Sequence, residues 1–342
     1  MSLIEQHDGL GAQPVGAAHG GFGDVRAEFA VLISGCGVYD LGERAKISLT
    51  GGDRVRWLNG MVTNNIRDLA PGQGVYAFVL NAQGHILGDL YVFNRGESLV
   101  AEIEREQAEH LLQVLKRYII MDKVEIDDLN EKIGVIGVAG PKSGEALAKV
   151  GVNADLSNLQ IAETSWNELP VTVIRGDNPC VPNYEIWVPA EKVEFLIDAL
   201  LKAGAESVGD ETLETFRILC RIPKVGHDIH ERTLPPETGQ ERALSFTKGC
   251  YIGQEIVERI RARGSVHRTF TGFEVDGAAP PAGTKIQSEG KDVGEITSVM
   301  AEPLKDKRLA LGFLRKEFME KELVADGSKV RPTALPLFGL FD

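Results

Sequence analysis

The sequence predicts an α+β fold: two α+β halves followed by a small C-terminal β-barrel. Three observations carry this. The order strand, glycine turn, helix occurs after Ala45 and returns after Gly134, with negligible identity between the two stretches. After Gly264 the texture changes to short strands parted by Gly- and Pro-containing turns. A chain of 342 residues is too long for one core and suits two or three domains.

In chain order, residues 1–23 (with G-L-G-A-Q-P-V-G-A-A-H-G-G-F-G) read as a mobile lead-in to a core expected over 24–262. The first half, 24–128, holds K-I-S-L-T-G-G-D-R-V-R-W-L-N-G from Lys46, an alternating strand, a glycine turn and a helix start. Tyr76 to Phe93 predicts two strands about a turn at Gln83 and Gly84. Ala108, Leu111, Leu112, Leu115 and Ile119 then recur at helical spacing, so one face of that helix is buried. In the second half, 129–262, Gly134–Gly140 is a buried strand leading to a turn and a helix. Tyr184–Pro189 is a strand feeding a helix with Val193, Leu196, Ile197 and Leu200 on one face. Within 263–342, T-F-T-G-F-E-V, V-G-E-I-T-S-V and R-L-A-L-G-F-L are barrel strands, with P-P-A-G and S-E-G-K-D as turns.

Composition narrows the function classes. With 43% apolar and 25% charged residues the chain is globular, and no run of 18 uninterrupted apolar residues occurs. The first residues lack the basic-then-apolar order of a secretory signal, so a cytoplasmic protein without a membrane partner is expected. A net charge of −13 opposes direct nucleic-acid binding, which needs a basic face to displace counterions. The cysteines at 36, 180, 220 and 250 form no C-x-x-C, which indicates neither a disulfide framework nor a metal site. G-P-K-S at 140–143 resembles a phosphate loop, but a proline precedes the lysine and the upstream glycine spacing is wrong. Between Lys248 and Arg268 the charge reverses: Arg259, Arg261 and Arg263 join these two against only Glu255 and Glu258, a stripe able to meet an anionic molecule or simply a solvated helix face.

The stretch T-K-G-C-Y-I-G-Q-E, Thr247 to Glu255, sets a lysine and a cysteine just before a helix expected over about 253–263. A thiol at a helix N-terminus beside an ammonium lies in a field that stabilises its anion, which makes Cys250 a candidate nucleophile with Lys248 as its activator. The competing reading is a small buried hydrophobe. Glu185 stands in N-Y-E-I-W-V-P, where alternation turns Tyr184, Ile186 and Val188 one way and Glu185 and Trp187 the other. Its carboxylate can accept paired hydrogen bonds from the amide N–H and amino group of a guanine or pterin edge, with Arg175 on the preceding strand as a candidate partner. It can equally be a rim glutamate paired with a surface lysine. Asp89, in L-G-D-L-Y-V-F, can position or deprotonate an amine, or cap a turn. Asn59, Thr63, Asn64 and Asn65 either line a polar cavity or close turns.

Taken together, these stretches resemble a known family. K-G-C-Y-I-G-Q-E is similar to the signature of the YgfZ-type folate-binding proteins, relatives of the glycine cleavage T protein (aminomethyltransferase) and of the related mitochondrial assembly factors. The similarity runs from about Val38, through V-Y-D-L and L-T-G-G-D-R-V-R-W-L-N-G-M-V-T-N-N-I, to V-G-E-I-T-S and the chain end. The resemblance implies a three-lobed ring around tetrahydrofolate, with Glu185 gripping the pterin and Asn59, Thr63, Arg175, Tyr251, Gln254 and Arg263 as further folate-binding candidates. It also implies Cys250 as the functional thiol, with Lys248 and Asp89 beside it in the catalytic set. The T proteins carry paired aspartates after a Gly-Gly turn where this chain has H-I-L-G-D. Gly88 thus replaces one acid and His85 one glycine, which counts against aminomethyl transfer. The YgfZ branch implies a folate-dependent accessory role for iron-sulfur enzymes, including radical enzymes that modify tRNA, with client enzymes or assembly factors as partners. The alternatives are a folate-dependent aminomethyltransferase and a redox scaffold without folate.

Overall fold

The structure, a computed structural model, describes residues 23–130, 132–264 and 266–336. The lead-in expected over 1–23 therefore lies, apart from Gly23, outside the described residues. The chain groups into two units: residues up to 77 with 90–213, and residues 78–89 with 214 onward.

Up to Leu219 the elements are α1 (Val25–Ser34), β1 (Gly37–Asp40), β2 (Arg44–Thr50), α2 (Arg54–Met61), β3 (Gly74–Leu80), β4 (Ile86–Asn94), β5 (Leu99–Glu104), α3 (Arg105–Lys116), β6 (Glu125–Asp128), β7 (Ile133–Ala139), α4 (Ser143–Lys149), β8 (Ile161–Trp166), β9 (Leu169–Arg175), β10 (Asn183–Pro189), α5 (Val193–Lys202), β11 (Glu206–Ser207) and α6 (Asp210–Leu219). They build two sheets, ordered β11-β1-β7-β10-β9-β8 and β3-β4-β5-β2-β6. The two halves interleave: β1, from the first half, is hydrogen-bonded between β11 and β7 of the second.

The first sheet explains the apolar run G-V-I-G-V-A-G. One face, with Ile136, Val138, Val173, Ile186 and Val188, packs under α4 and α5 through Ala146, Leu147, Val193, Leu196, Ile197 and Leu200. The opposite face, with Val135, Ile174 and Trp187, meets Phe93 and Val100 of the second sheet. A strand covered on both faces has no position left for a polar alternation. The helix expected through Ile119 is shorter. Ala108, Leu111 and Leu115 of α3 are buried, but the helix stops at Lys116. The backbone there turns aside, and the Tyr118 carbonyl accepts a hydrogen bond from the Trp57 indole at 3.2 Å.

The second unit continues with α7 (Gln254–Arg263), β12 (Arg268–Asp276), β13 (Lys285–Ser288), β14 (Lys291–Val299), β15 (Arg308–Arg315), β16 (Leu323–Ala325) and β17 (Ser328–Thr333). The six strands close into the expected barrel in the order β12-β15-β14-β13-β16-β17. Phe273, Ile286, Ile296, Leu314 and Val330 are among the residues that fill it. No helix among the described residues is long and apolar enough to cross a membrane.

Asp228 ties the end of α6 to the barrel. It is fully buried, and its carboxylate accepts from Arg217 at 2.7 Å, the Lys224 amide at 2.9 Å, the Ser298 hydroxyl at 2.8 Å and the Thr297 hydroxyl. Removing one member of such a set leaves buried donors and a cation without their acceptor. Asp228→Ala should therefore cost about 3–5 kcal/mol. Urea unfolding checks this, and a loss under about 1 kcal/mol would show that the cluster contributes little.

Candidate functional site

In the first unit the site is assembled from two sheets. The antiparallel register of β2 and β5 sets Lys46 directly across from Glu102 and Arg44 across from Glu104. Cross-strand partners share a face, so these four side chains stand together. In the other sheet β10 places Glu185 opposite Gly137 of β7, and Gly137 lies opposite Tyr39 of β1. A Cβ on residue 137 would come within 2.1 Å of the Tyr39 ring, so the glycine makes room for that ring beside Glu185.

The result is a buried group of charges. The Lys46 ammonium is 3.1 Å from Glu102 and 3.5 Å from Glu185, and lies 5.3 Å from the centroid of the Trp187 ring. Arg44 Nε is 2.6 Å from the other Glu102 oxygen, and its guanidinium lies over the Tyr91 ring at 5.3 Å. Among the described residues neither Glu102 oxygen has a partner of good hydrogen-bond geometry, so its contacts with Arg44 and Lys46 are close ion pairs, and the Glu185 carboxyl lies near enough to share a proton with it. The Trp187 indole donates to Glu185 Oε2 at 3.4 Å, on the face that alternation assigned to it.

Burial and the neighbouring Glu102 carboxylate push Glu185 up, to about 7, against the pull of Lys46 and Arg44. Glu102 experiences the same burial, but Lys46 and Arg44 outweigh it and hold this carboxyl below the usual range. Burial, followed by the Glu185 charge, likewise raises the Tyr39 phenol. The surroundings thus push the two acids in opposite directions: the cations favour the ionised form of Glu102, and burial with Glu102 favours the protonated form of Glu185.

The remaining first-unit candidates do not join Glu185. Arg175 faces Tyr184 in register, stacks 4.8 Å over that ring and donates to the Asn183 carbonyl at 3.2 Å, so it belongs to the opposite face of the sheet. Asn59 closes the loop after α2, its side-chain oxygen accepting from the Ile66 and Arg67 amides at 3.0 and 3.2 Å. Thr63 is fully buried in that loop. The Asn64 side chain donates to the Tyr76 carbonyl and that of Asn65 to Asp68.

The second unit holds T-K-G-C-Y-I-G-Q-E. Gly253 is left-handed, with φ of 81°, and a Cβ there would lie 2.6 Å from the Asn81 carbonyl oxygen. Its partner in this approach is Gly84, at the tip of the β3–β4 turn, where a Cβ would strike Ile256 of α7 at 2.8 Å. The two glycines thus let the hairpin tip press against the first turn of α7. Cys250 is exposed and precedes that turn. Lys248 is buried, with its ammonium 5.1 Å over the Tyr251 ring. The Tyr251 hydroxyl is buried without a hydrogen-bond partner among the described residues, and burial, with Glu258, pushes it up to about 12. Gln254 opens α7, its amide donating to the Tyr251 carbonyl. Asp89 is half-buried at the base of the hairpin and engaged within the fold.

The basic stripe is split. Arg259, Arg261 and Arg263 are exposed on α7, Arg261 pairing with Glu258 at 3.2 Å and stacking on Phe246 at 4.3 Å. Arg268 turns instead to Glu237 at 2.9 Å and to the Phe313 ring. Beside α7 a cavity of about 360 Å³ is lined by Pro235, Leu244, Phe246, Val257, Ile260 and Arg261, among others.

Sequence reasoning missed Lys46, Glu102 and Tyr39. The signal for the first two was present: A-K-I-S-L-T and L-V-A-E-I-E each put a charge at an alternate position of an apolar strand.

Comparison with known proteins gives two domain matches. The family of the GCVT N-terminal domain matches residues 17–248, and the CAF17 C-terminal beta-barrel domain matches residues 266–337. An aminomethyltransferase of Rubrobacter xylanophilus is 26% identical over 324 residues, covering 92% of this chain and 87% of its own. One from Thermoanaerobacter pseudethanolicus is 23% identical over 309 residues, covering 87% of this chain and 83% of its own. The crystal structure of glycine cleavage system aminomethyltransferase T from Bartonella henselae shares the fold, with a TM-score of 0.87, 21% identity and coverage of 98% of this chain and 96% of that one.

The burial pattern sets an order for thiol chemistry. Cys250 is exposed, Cys180 half-buried, and Cys36 and Cys220 buried. Burial also pushes the Cys36 thiol up to about 11. In native alkylation with mass-spectrometric readout, Cys250 should label first and Cys36 and Cys220 last, since only the accessible thiolate reacts. Equal rates at all four thiols would overturn that order.

Proposed function

We propose, since the chain belongs to the family of the GCVT N-terminal domain, that it binds tetrahydrofolate and serves as an accessory protein for the assembly or repair of iron-sulfur clusters in selected enzymes, as YgfZ-type proteins do. The observation that carries the folate part is Glu185: a buried carboxyl, 8% exposed, whose contacts from Lys46 and Trp187 are long and converge on one oxygen. Such a group has acceptor capacity for the N–H donors along a pterin edge. Glu185 would hold the pterin, and Tyr39 and Trp187 wall its surroundings. When bound, the folate supplies a carrier for one-carbon units. The accessory part is supported by the K-G-C-Y-I-G-Q-E stretch with its exposed Cys250, and by the match to the CAF17 C-terminal barrel.

A second reading, aminomethyl transfer, is favoured by the names of the relatives, which are aminomethyltransferases. Gly88 stands where the resemblance places one of two acids, which leaves Asp89 alone to handle an amine. Robust formation of methylene-tetrahydrofolate from an aminomethylated lipoyl protein would replace the accessory reading with this one.

Two substitutions test the proposal. Glu185→Gln keeps the side-chain volume and removes the ionisable acceptor. Calorimetric titration at pH 8 should show folate binding weakened by about 1–3 kcal/mol with the fold retained. Unchanged affinity would place Glu185 outside the folate site. Cys250→Ala should keep folate binding and thermal stability yet fail to restore iron-sulfur enzyme activities in cells lacking the gene; full complementation would remove the thiol from the function.

A further inference from the structure

We infer that Lys46 and Glu102 are positioning residues for Glu185, fixing both where its carboxyl stands and when it is ionised, so that folate binding expels a proton from the protein. The inference deepens the folate reading of Glu185 and rests on it.

The geometry sets an unequal competition between two acids for two cations. Arg44 at 2.6 Å and Lys46 at 3.1 Å both stand at contact distance from Glu102, whereas the cation nearest Glu185 is Lys46, at 3.5 Å, joined by the neutral Trp187 N–H at 3.4 Å, with Arg44 acting from farther away. Lys46 is 1% exposed, and its cross-strand register holds it to Glu102. Glu185 is therefore the member that yields its charge when the pair is buried: burial and Glu102 push its carboxyl up, while Lys46 and Arg44 hold Glu102 below the usual range.

The groups facing Glu185 come from every packed element. They are Lys46 and Arg44 from β2, Glu102 from β5 and Tyr39 from β1, with Glu104 and Tyr91 acting through Arg44. Counting Glu104, 3.9 Å from Arg44, the cluster sets two cations against three carboxylates, and protonating Glu185 brings it to neutrality. A ligand that offers two N–H donors supplies what Glu102 has taken, favours the ionised form and displaces the proton.

The sign follows. The form that accepts two hydrogen bonds is the carboxylate, so affinity is complete above the ligand-free midpoint and falls as pH drops through it, by about tenfold per unit. Losing the Lys46 cation should raise the midpoint of Glu185. Losing the Glu102 charge should lower it. An opposite charge at such distances moves a carboxyl by about 1–3 units.

The experiment combines two readouts. In ligand-free protein, ¹³C-carboxyl NMR of labelled glutamates follows the resonance that disappears in Glu185→Gln. In parallel, calorimetry with tetrahydrofolate at pH 6 in buffers of different ionisation enthalpy counts protons released. The expected results are a Glu185 midpoint near 7, close to one proton released per folate at pH 6, an upward midpoint shift in Lys46→Met, its restoration in Lys46→Arg, and a downward shift in Glu102→Gln. If Lys46→Met does not fold, the Lys46→Arg and Glu102→Gln pair decides. A Glu185 midpoint in the ordinary carboxylate range, or one that none of these substitutions moves, overturns the inference. Loss of folate binding in the wild-type protein with the midpoints behaving as expected would instead defeat the folate reading and leave the positioning intact.

Discussion

The constraint on which the first unit depends is the burial of Arg44, Lys46, Glu102 and Glu185 between two sheets. Taking charges out of water costs several kcal/mol per ion, and the cost is offset only where partners stand at contact distance. The two sheets can therefore pack in very few relative positions: Lys46, fixed by its own sheet's register, has to reach Glu185 on the other. Gly137 belongs to the same constraint, because any side chain there would drive the Tyr39 ring out of the interlayer. The cluster sets four charged groups beside what is otherwise an apolar seam of Phe93, Val100, Val135, Ile174 and Trp187.

Unequal sharing of cations gives the cluster its character. One acid has two cations at contact distance, and the other has a single cation farther off and a weak indole contact. Glu102 and Glu185 occupy these two situations within the same cluster, and the difference comes from β2, which carries both cations toward β5. Two identical side chains acquire different roles from their surroundings alone.

The second unit obeys a different constraint, close approach of backbone. Gly253 and Gly84 let the hairpin tip and the start of α7 meet at distances that a Cβ forbids. Gly253 of T-K-G-C-Y-I-G-Q-E thereby acquires a packing reason independent of any ligand, while Cys250, ahead of that turn, is exposed. Lys248 is held over the Tyr251 ring and Asp228 locks the end of α6 to β14. A rigid turn that exposes one thiol is the arrangement this part of the sequence encodes.

Local pattern was enough to determine the α+β class, the barrel strands, the face of β10 that carries Glu185 with Trp187, the hairpin turn and the helix after Cys250. Each rests on a periodicity or a turn residue that acts over a few positions. The end of α3 was misjudged because the indole of Trp57, distant in sequence, claims the Tyr118 carbonyl. Arg175 read as a companion of Glu185 until register placed it across from Tyr184 on the other face. Asn59 and Thr63 were ambiguous because an amide closes a turn and lines a cavity with the same atoms. Lys46 and Glu102 showed themselves only as charges in apolar strands, since nothing in a linear pattern reveals which distant acid a cation will meet. Residue types and strand faces were determined by the sequence by itself. Which charges share a dry interior, and which of two glutamates is pushed toward its protonated form, was decided only by the tertiary structure, because electrostatic energy in a low-dielectric interior depends on distances that sheet packing alone sets.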